Sequence, residues 1–146
     1  MTAGREIAAA TGPVGYALAQ ATRAHRNEMQ RRMAHLGLHL GQELLIVDIH
    51  QHPDTTQAEL VARIGMEQPT IAKATTRMQR SGFIERIPDA HDRRVIRLRL
   101  TEQGQAVVEA ILAAWADVEA AATNGLTQSE NQQLIRLLGK IHKNLT

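Results

Sequence analysis

Two glycines, Gly65 and Gly82, cut the stretch from Thr55 to Leu100 into pieces that can fold in few ways. Ahead of Gly65, the residues Glu59, Leu60, Val61 and Ile64 form a short helical run. Glycine ends that run because it is costly inside a helix and cheap in a turn. A second run opens at Glu67-Gln68-Pro69. Proline is tolerated there because an N–H in a first helical turn would be unpaired anyway. Ile71, Ala74 and Met78 recur at helical spacing and give one apolar face, while Thr70, Lys73, Arg77 and Arg80 occupy an adjoining one. Ser81-Gly82 closes the run, glycine being suited to the left-handed turn after a helix. Two short helices around a tight turn form a helix-turn-helix pattern, with the polar face of the second helix free to enter a major groove.

The next residues change period. Phe83-Ile84-Glu85-Arg86-Ile87 reads as a short, half-buried strand, and Val95 to Leu100 alternates more strictly. Val95, Arg97 and Arg99 share one face of that second strand; Ile96, Leu98 and Leu100 share the other. Pro88 to Arg94 joins the strands as a polar turn too long for a two-residue hairpin. Helix, turn, helix and a hairpin with an arginine-bearing tip make a winged helix, whose tip can reach phosphates or a narrow minor groove.

These residues carry a family resemblance. Gly82-Phe83-Ile84-Glu85-Arg86, followed by Asp89 to Gly104 (DAHDRRVIRLRLTEQG), resembles the wing signature of the multiple antibiotic resistance regulator (MarR) family. That wing carries an Asp-x-Arg element, matched by Asp92-Arg93-Arg94, and a Leu-Thr-x-x-Gly helix start, matched by Leu100 to Gly104. Length and flanking helices agree over nearly the whole chain. The resemblance implies a mainly α fold: a winged helix-turn-helix with a two-stranded β-hairpin wing and long N- and C-terminal dimerisation helices.

Charge is distributed as such a reader requires. From Arg63 to Arg99 nine basic residues face four acidic ones, although the whole chain is only +2. The surplus therefore sits on the proposed reader, where phosphate binding needs it. Aromatic content is 2%, which argues against the stacking surfaces used on single strands. The absence of cysteine excludes disulfides, thiolate metal sites and cysteine-based peroxide sensing, and is compatible with a reducing cytoplasm. No run of about 18 apolar residues and no signal peptide is visible.

The flanks read as helices from Pro13 to Leu36, Gln42 to His50, Thr101 to about Thr123, and Thr127 to about Asn144. Thr127 and Glu130 fit a capping box. Residues 1–12 read as a flexible tail and 13–146 as one domain, with the DNA-binding winged helix at about 42–100. The outer helices, about 13–36 and 101–145, carry apolar stripes longer than the reader needs: Val14, Leu18, Ala21, His25, Met29 and Met33 on the first, Val108, Ile111, Leu112, Trp115 and Val118 on the second, and Leu134, Leu137, Leu138 and Ile141 on the last. Leu36 completes the stripe on the first helix. Such stripes must bury on each other or on a second subunit, so a homodimer is expected.

Candidate residues follow from chemistry. Gln68, Thr70, Lys73 and Arg77 can meet base edges or phosphate, and Pro69 can touch a thymine methyl. Thr56 and Gln57 open the preceding helix and can donate to phosphate, although Thr56 serves equally as a cap. By resemblance, Arg94 is the wing residue for the minor groove and Arg93 the second choice; Asp92 would hold an arginine in place. The family often binds small aromatic or phenolic anions between the dimer helices and the reader, which points to Arg32, Met33, His35 and Trp115 as pocket residues. His35, His39, Glu43, His50 and His52 are candidates for a zinc site, but no His-Glu-x-x-His or Cys-His spacing exists, and each histidine reads more simply as a surface or capping residue.

The expected function is a sequence-specific, double-stranded-DNA-binding transcriptional regulator: a homodimeric, ligand-responsive repressor on a pseudo-palindromic operator, with no required cofactor. A zinc-responsive regulator of the same fold and a protein-binding winged helix without DNA activity are the alternatives. No nucleophile–base set, phosphate loop or metal motif points to an enzyme.

Overall fold

The computed structural model describes residues 3–146. In chain order these form α1 (Ala3–Thr11), α2 (Pro13–His35), α3 (Gln42–Gln51), β1 (Thr55–Thr56), α4 (Gln57–Ile64), α5 (Gln68–Arg80), β2 (Ile84–Pro88), β3 (Ile96–Leu100), α6 (Glu102–Ala122) and α7 (Gln128–Leu145). The three strands are antiparallel in the order β1-β3-β2. This is a mostly helical winged helix.

The helix α3 is central because it is apolar on more than one side. Leu45, Ile46 and Ile49 are fully buried, and α3 packs on α4, α5, α6 and β3. Around it close Leu60 of α4, Ile71 and Met78 of α5, Leu98 of β3, and Val108 and Ile111 of α6. Thus the reader and the long helix share one core.

Local signals set the boundaries. Thr56 caps α4 through a reciprocal box: its Oγ1 accepts from the Glu59 N–H at 3.2 Å, and Glu59 Oε2 accepts from the Thr56 N–H at 2.9 Å. Gly65 then ends α4 in the left-handed region, at φ 71°. Thr127 and Glu130 cap α7 in the same reciprocal way. Proline closes β2 at Pro88, on an edge strand where its missing N–H disturbs no neighbour.

Three features differ from the sequence reading. A helix, α1, occupies Ala3–Thr11 within the stretch expected to be a flexible tail; Met1 and Thr2 lie outside the described residues. Its run of alanines is the strongest intrinsic helix former, and α1 packs on α2. The sheet has a third strand, β1, pairing Thr55 with Leu98 and Thr56 with Arg97. Two residues are too few to show a strand period. On α6, Leu112 is turned outward, 45% exposed, while Gly104 and Ala114 take buried positions instead.

The outer helices leave apolar surface uncovered. No residue of α7 is buried, and Leu134, Leu137 and Leu138 are each more than 40% exposed. Of the stripe expected on the helix from Pro13 to Leu36, Met29 and Met33 are buried in the core and Leu36 packs against it, while Val14 is 64% exposed.

Candidate nucleic-acid interface

Burial of one face fixes what the other presents. On α5, Ile71, Thr75 and Met78 are buried, so Lys73, Thr76, Arg77 and Arg80 line an open groove on the outer side. Gln68, Pro69 and Thr70 stand exposed at the helix start, where Glu67 provides no side-chain cap. Lys73, Arg77 and Arg80 make no ion pair or hydrogen bond with other described side chains. A cation without a carboxylate partner leaves its charge for an external anion.

Thr75 ties this helix to its neighbours. Its hydroxyl donates to the Ala72 carbonyl at 3.0 Å and accepts from Arg86 Nη2 at 3.2 Å. Gln57 Oε1 lies 3.5 Å away. A fully buried hydroxyl thereby joins the start of α4, the middle of α5 and strand β2. Thr56 is occupied by its cap, as one of the two sequence readings had it.

The wing is braced at its base and open at its tip. Asp89 Oδ1 accepts from the backbone N–H groups of His91 (2.8 Å) and Asp92 (3.0 Å), and its Oδ2 accepts from Arg97 Nε. The Arg97 guanidinium, with these two amides, holds the Asp89 carboxyl down at about 2. Arg97 also donates to the Asp54 carbonyl at 2.9 Å, and Arg99 Nε donates to Asp54 Oδ1 at 2.8 Å. Asp54 sits in the left-handed region at φ 61°, a conformation that aspartate tolerates better than most residues. Hydrogen bonding from Arg99 lowers its carboxyl below the usual range.

These pairs redraw the charge count. Arg63 Nε donates to Asp48 Oδ2 at 3.0 Å, so Arg63, Arg97 and Arg99 are spent on Asp48, Asp89 and Asp54. Two of those acids lie before Arg63 in the chain and were outside the sequence window. Of the other six basic residues between Arg63 and Arg99, Arg86 donates to Thr75; Lys73, Arg77 and Arg80 on α5 and Arg93 at the tip have no carboxylate partner among the described residues; and Arg94 has an exposed one. Asp92 Oδ1 accepts from the Arg94 N–H at 3.1 Å and from its Nε at 3.3 Å, while the Arg94 side chain stays 92% exposed. Asp92 therefore holds an arginine, as expected. Asp89 and Asp54, which the sequence reading did not single out, hold the heavier share. Pro88-Asp89 at the turn entry was the available signal, since Asp favours such local backbone bonds.

The four expected pocket residues do not meet. Met33 is fully buried in the core, Arg32 pairs with Glu28 (2.8 Å) and Asp117 (3.1 Å), and His35 is exposed at the end of α2. Of the four, Trp115 alone lines a cavity between α2, α3 and α6, of about 470 Å³, with His25, Arg26, Met29 and Glu43. Position along α2 is the reason: Arg32 and His35 lie past the segment of the helix that lines this opening, which ends at Met29, and Arg32 is taken up by Glu28 and Asp117. Glu43 is buried there. Its Oε2 accepts from the Gly41 N–H at 2.7 Å, and desolvation raises its carboxyl.

The zinc candidates are also dispersed. His50 bonds Gln105, His52 bonds the Asp48 carbonyl, and Glu43 is held by the Gly41 backbone. Among the described residues no group of three or more His, Asp or Glu side chains is placed to hold a metal ion.

Comparison with known proteins agrees with this geometry. The MarR family model matches residues 38–96, from the loop before α3 to the start of β3. The structure of the transcriptional regulator SlyA is similar at 27% identity, covering 90% of this chain and 93% of that one, with a TM-score of 0.78. Over residues 38–96 the chain is similar to the MarR family, and its fold is that of SlyA.

Two further structures share the fold. A mutant MarR from E. coli, complexed with operator DNA, has 22% identity, coverage of 97% of this chain and 99% of that one, and a TM-score of 0.78. Bordetella bronchiseptica BpsR, whose DNA binding is regulated by 6-hydroxynicotinic acid, has 22% identity, coverage of 88% and 92%, and a TM-score of 0.78. The match to the MarR family model spans the capped α4, the exposed face of α5 and the wing up to the start of β3. Among the described residues no helix is long and apolar enough to cross a membrane.

Proposed function

We propose that this MarR-like protein is a cytoplasmic homodimer that binds a pseudo-palindromic operator in double-stranded DNA and represses transcription. One observation carries the reading. The exposed face of α5 presents Lys73, Arg77 and Arg80 without carboxylate partners, beside a wing whose tip carries Arg93 and Arg94. In this reading α5 lies in a major groove, with Gln68, Pro69, Thr70, Lys73 and Arg77 toward base edges and phosphate. Thr56 and Gln57 face the backbone, and Arg94 or Arg93 enters the adjacent minor groove.

The uncovered apolar faces of α2 and α7 support the dimer, since one reader covers only a half-site. The cavity carrying Trp115, His25, Arg26 and Glu43 is the seat for a small aromatic effector, a use consistent with the BpsR relative. An effector that prefers one spacing of the two α5 helices shifts the dimer away from the operator-bound form. The test is a genomic footprint of the purified protein, repeated with a phenolic acid and with zinc. Protection of a two-fold site, lost on adding the acid, is the expected result. Absence of any footprint contradicts the proposal, and loss only with zinc reassigns the effector.

A further inference from the structure

We infer that the notch between the loop before α3 and the outer face of α5 seats one oxyanion, a backbone phosphodiester of the bound duplex, and that His39 is a contact to it. The inference rests on the DNA-binding reading above and adds a residue outside the helix-turn-helix.

The notch has a volume of about 210 Å³. That is small against the ~300–1,000 Å³ of typical organic-ligand pockets, and it suits one phosphate with a little water. His39 and Gln42 line it from one side; Thr70, Lys73 and Arg77 line it from the other. No carboxylate is among its lining residues. Gln42 is the unusual member. It is a polar side chain only 5% exposed, and its Oε1 accepts from the His39 N–H at 3.1 Å. Its amide NH₂ donates to no described residue and is not fully enclosed, which leaves it open to a ligand in the notch that Gln42 lines. The His39 ring also has no side-chain or backbone partner among the described residues. Leu40 and Ala74 complete the lining; each of the five polar groups can donate, and Lys73 and Arg77 carry positive charge. A phosphate held from the loop before α3 as well as from α5 would fix the depth and register of α5 on the duplex.

The test is fluorescence anisotropy of the full chain on a duplex operator at several salt concentrations. Wild type is compared with His39→Gln and with His50→Gln, a histidine bonded to Gln105 away from the notch, after thermal melts show all three folded. His50→Gln should keep wild-type affinity. His39→Gln should bind about three- to tenfold more weakly, the loss of one phosphate contact. A His39→Gln protein with wild-type affinity overturns the inference while leaving DNA binding intact. A wild-type protein with no salt-sensitive duplex binding overturns the DNA reading itself. A second arm titrates inorganic phosphate at constant ionic strength. Saturable phosphate shifts of the His39 ring by NMR, with duplex affinity unaffected by His39→Gln, would assign the notch to free phosphate and overturn the duplex assignment.

Discussion

Gly104 packs so closely on Phe83 that a Cβ at position 104 would stand 2.0 Å from the Phe83 carbonyl oxygen. The same junction is tied by Thr101, whose N–H donates to that carbonyl at 3.0 Å and whose Oγ1 donates to the Gly82 carbonyl while accepting from the Gly104 N–H at 3.1 Å. The Leu-Thr-x-x-Gly element is thus the joint between wing and long helix: threonine caps α6, and glycine lets α6 start against the end of α5 and the start of β2.

Gly104→Ala should therefore destabilise the protein, because backbone rather than a flexible side chain must move. A loss of about 2–3 kcal/mol is expected, in the range of an overpacked site, and chemical denaturation measures it. A change below about 0.5 kcal/mol would mean that the joint is loose.

The wing brace predicts acid sensitivity of a definite sign. The Asp89 carboxyl is held at about 2 in the folded protein, below its unfolded value near ~3.9. Its contribution is present above the unfolded value and is lost as pH falls through the folded one. Asp89→Asn should weaken the brace at neutral pH, seen as faster amide exchange from His91 to Val95. The mutant and wild type should converge towards pH 2. Equal exchange at pH 7 would show that Arg97 and Asp89 do not hold the turn.

Glu43 predicts the opposite sign. Burial raises its carboxyl, so the folded state is disfavoured at pH values where Glu43 must ionise. Glu43→Gln keeps an acceptor for the Gly41 N–H and removes the buried charge. Its melting temperature should exceed that of wild type at pH 8 by about 2–4 °C, and the difference should vanish near pH 4. A lower melting temperature at pH 8 would show that the ionised carboxylate has a partner in the dimer.

The apolar row of α7 has no cover in the protomer. Leu134→Glu with Leu138→Glu should convert a dimer at micromolar concentration to monomers by sedimentation. Winged-helix circular dichroism should remain, since neither residue contributes to the core. A variant that stays dimeric would place the interface elsewhere.

The reader was legible in the sequence because glycines, caps and a change of period mark its pieces within a few residues of each other. Gly65, Gly82 and Thr127 gave three helix ends or starts by local chemistry alone. What stayed hidden depends on distance in the chain. Arg99 finds Asp54 across 45 positions, and Arg97 reaches the carbonyl of the same residue, so a window count of charge could not tell spent cations from open ones. Periodicity on α2 does not tell how far along the helix the cavity extends, and it cannot show that Asp117, 85 positions on, takes up Arg32. The notch at His39 joins a loop to a helix well beyond it in the chain, and no periodicity reports that meeting.

The most direct measurement is the salt dependence of duplex binding for wild type against Lys73→Ala with Arg77→Ala, both verified to have the same oligomeric state. Open cations on α5 predict a steep log–log slope for wild type, shallower by about two counterions in the double variant, with affinity at least roughly tenfold weaker. Identical slopes and affinities for the two proteins would contradict the account.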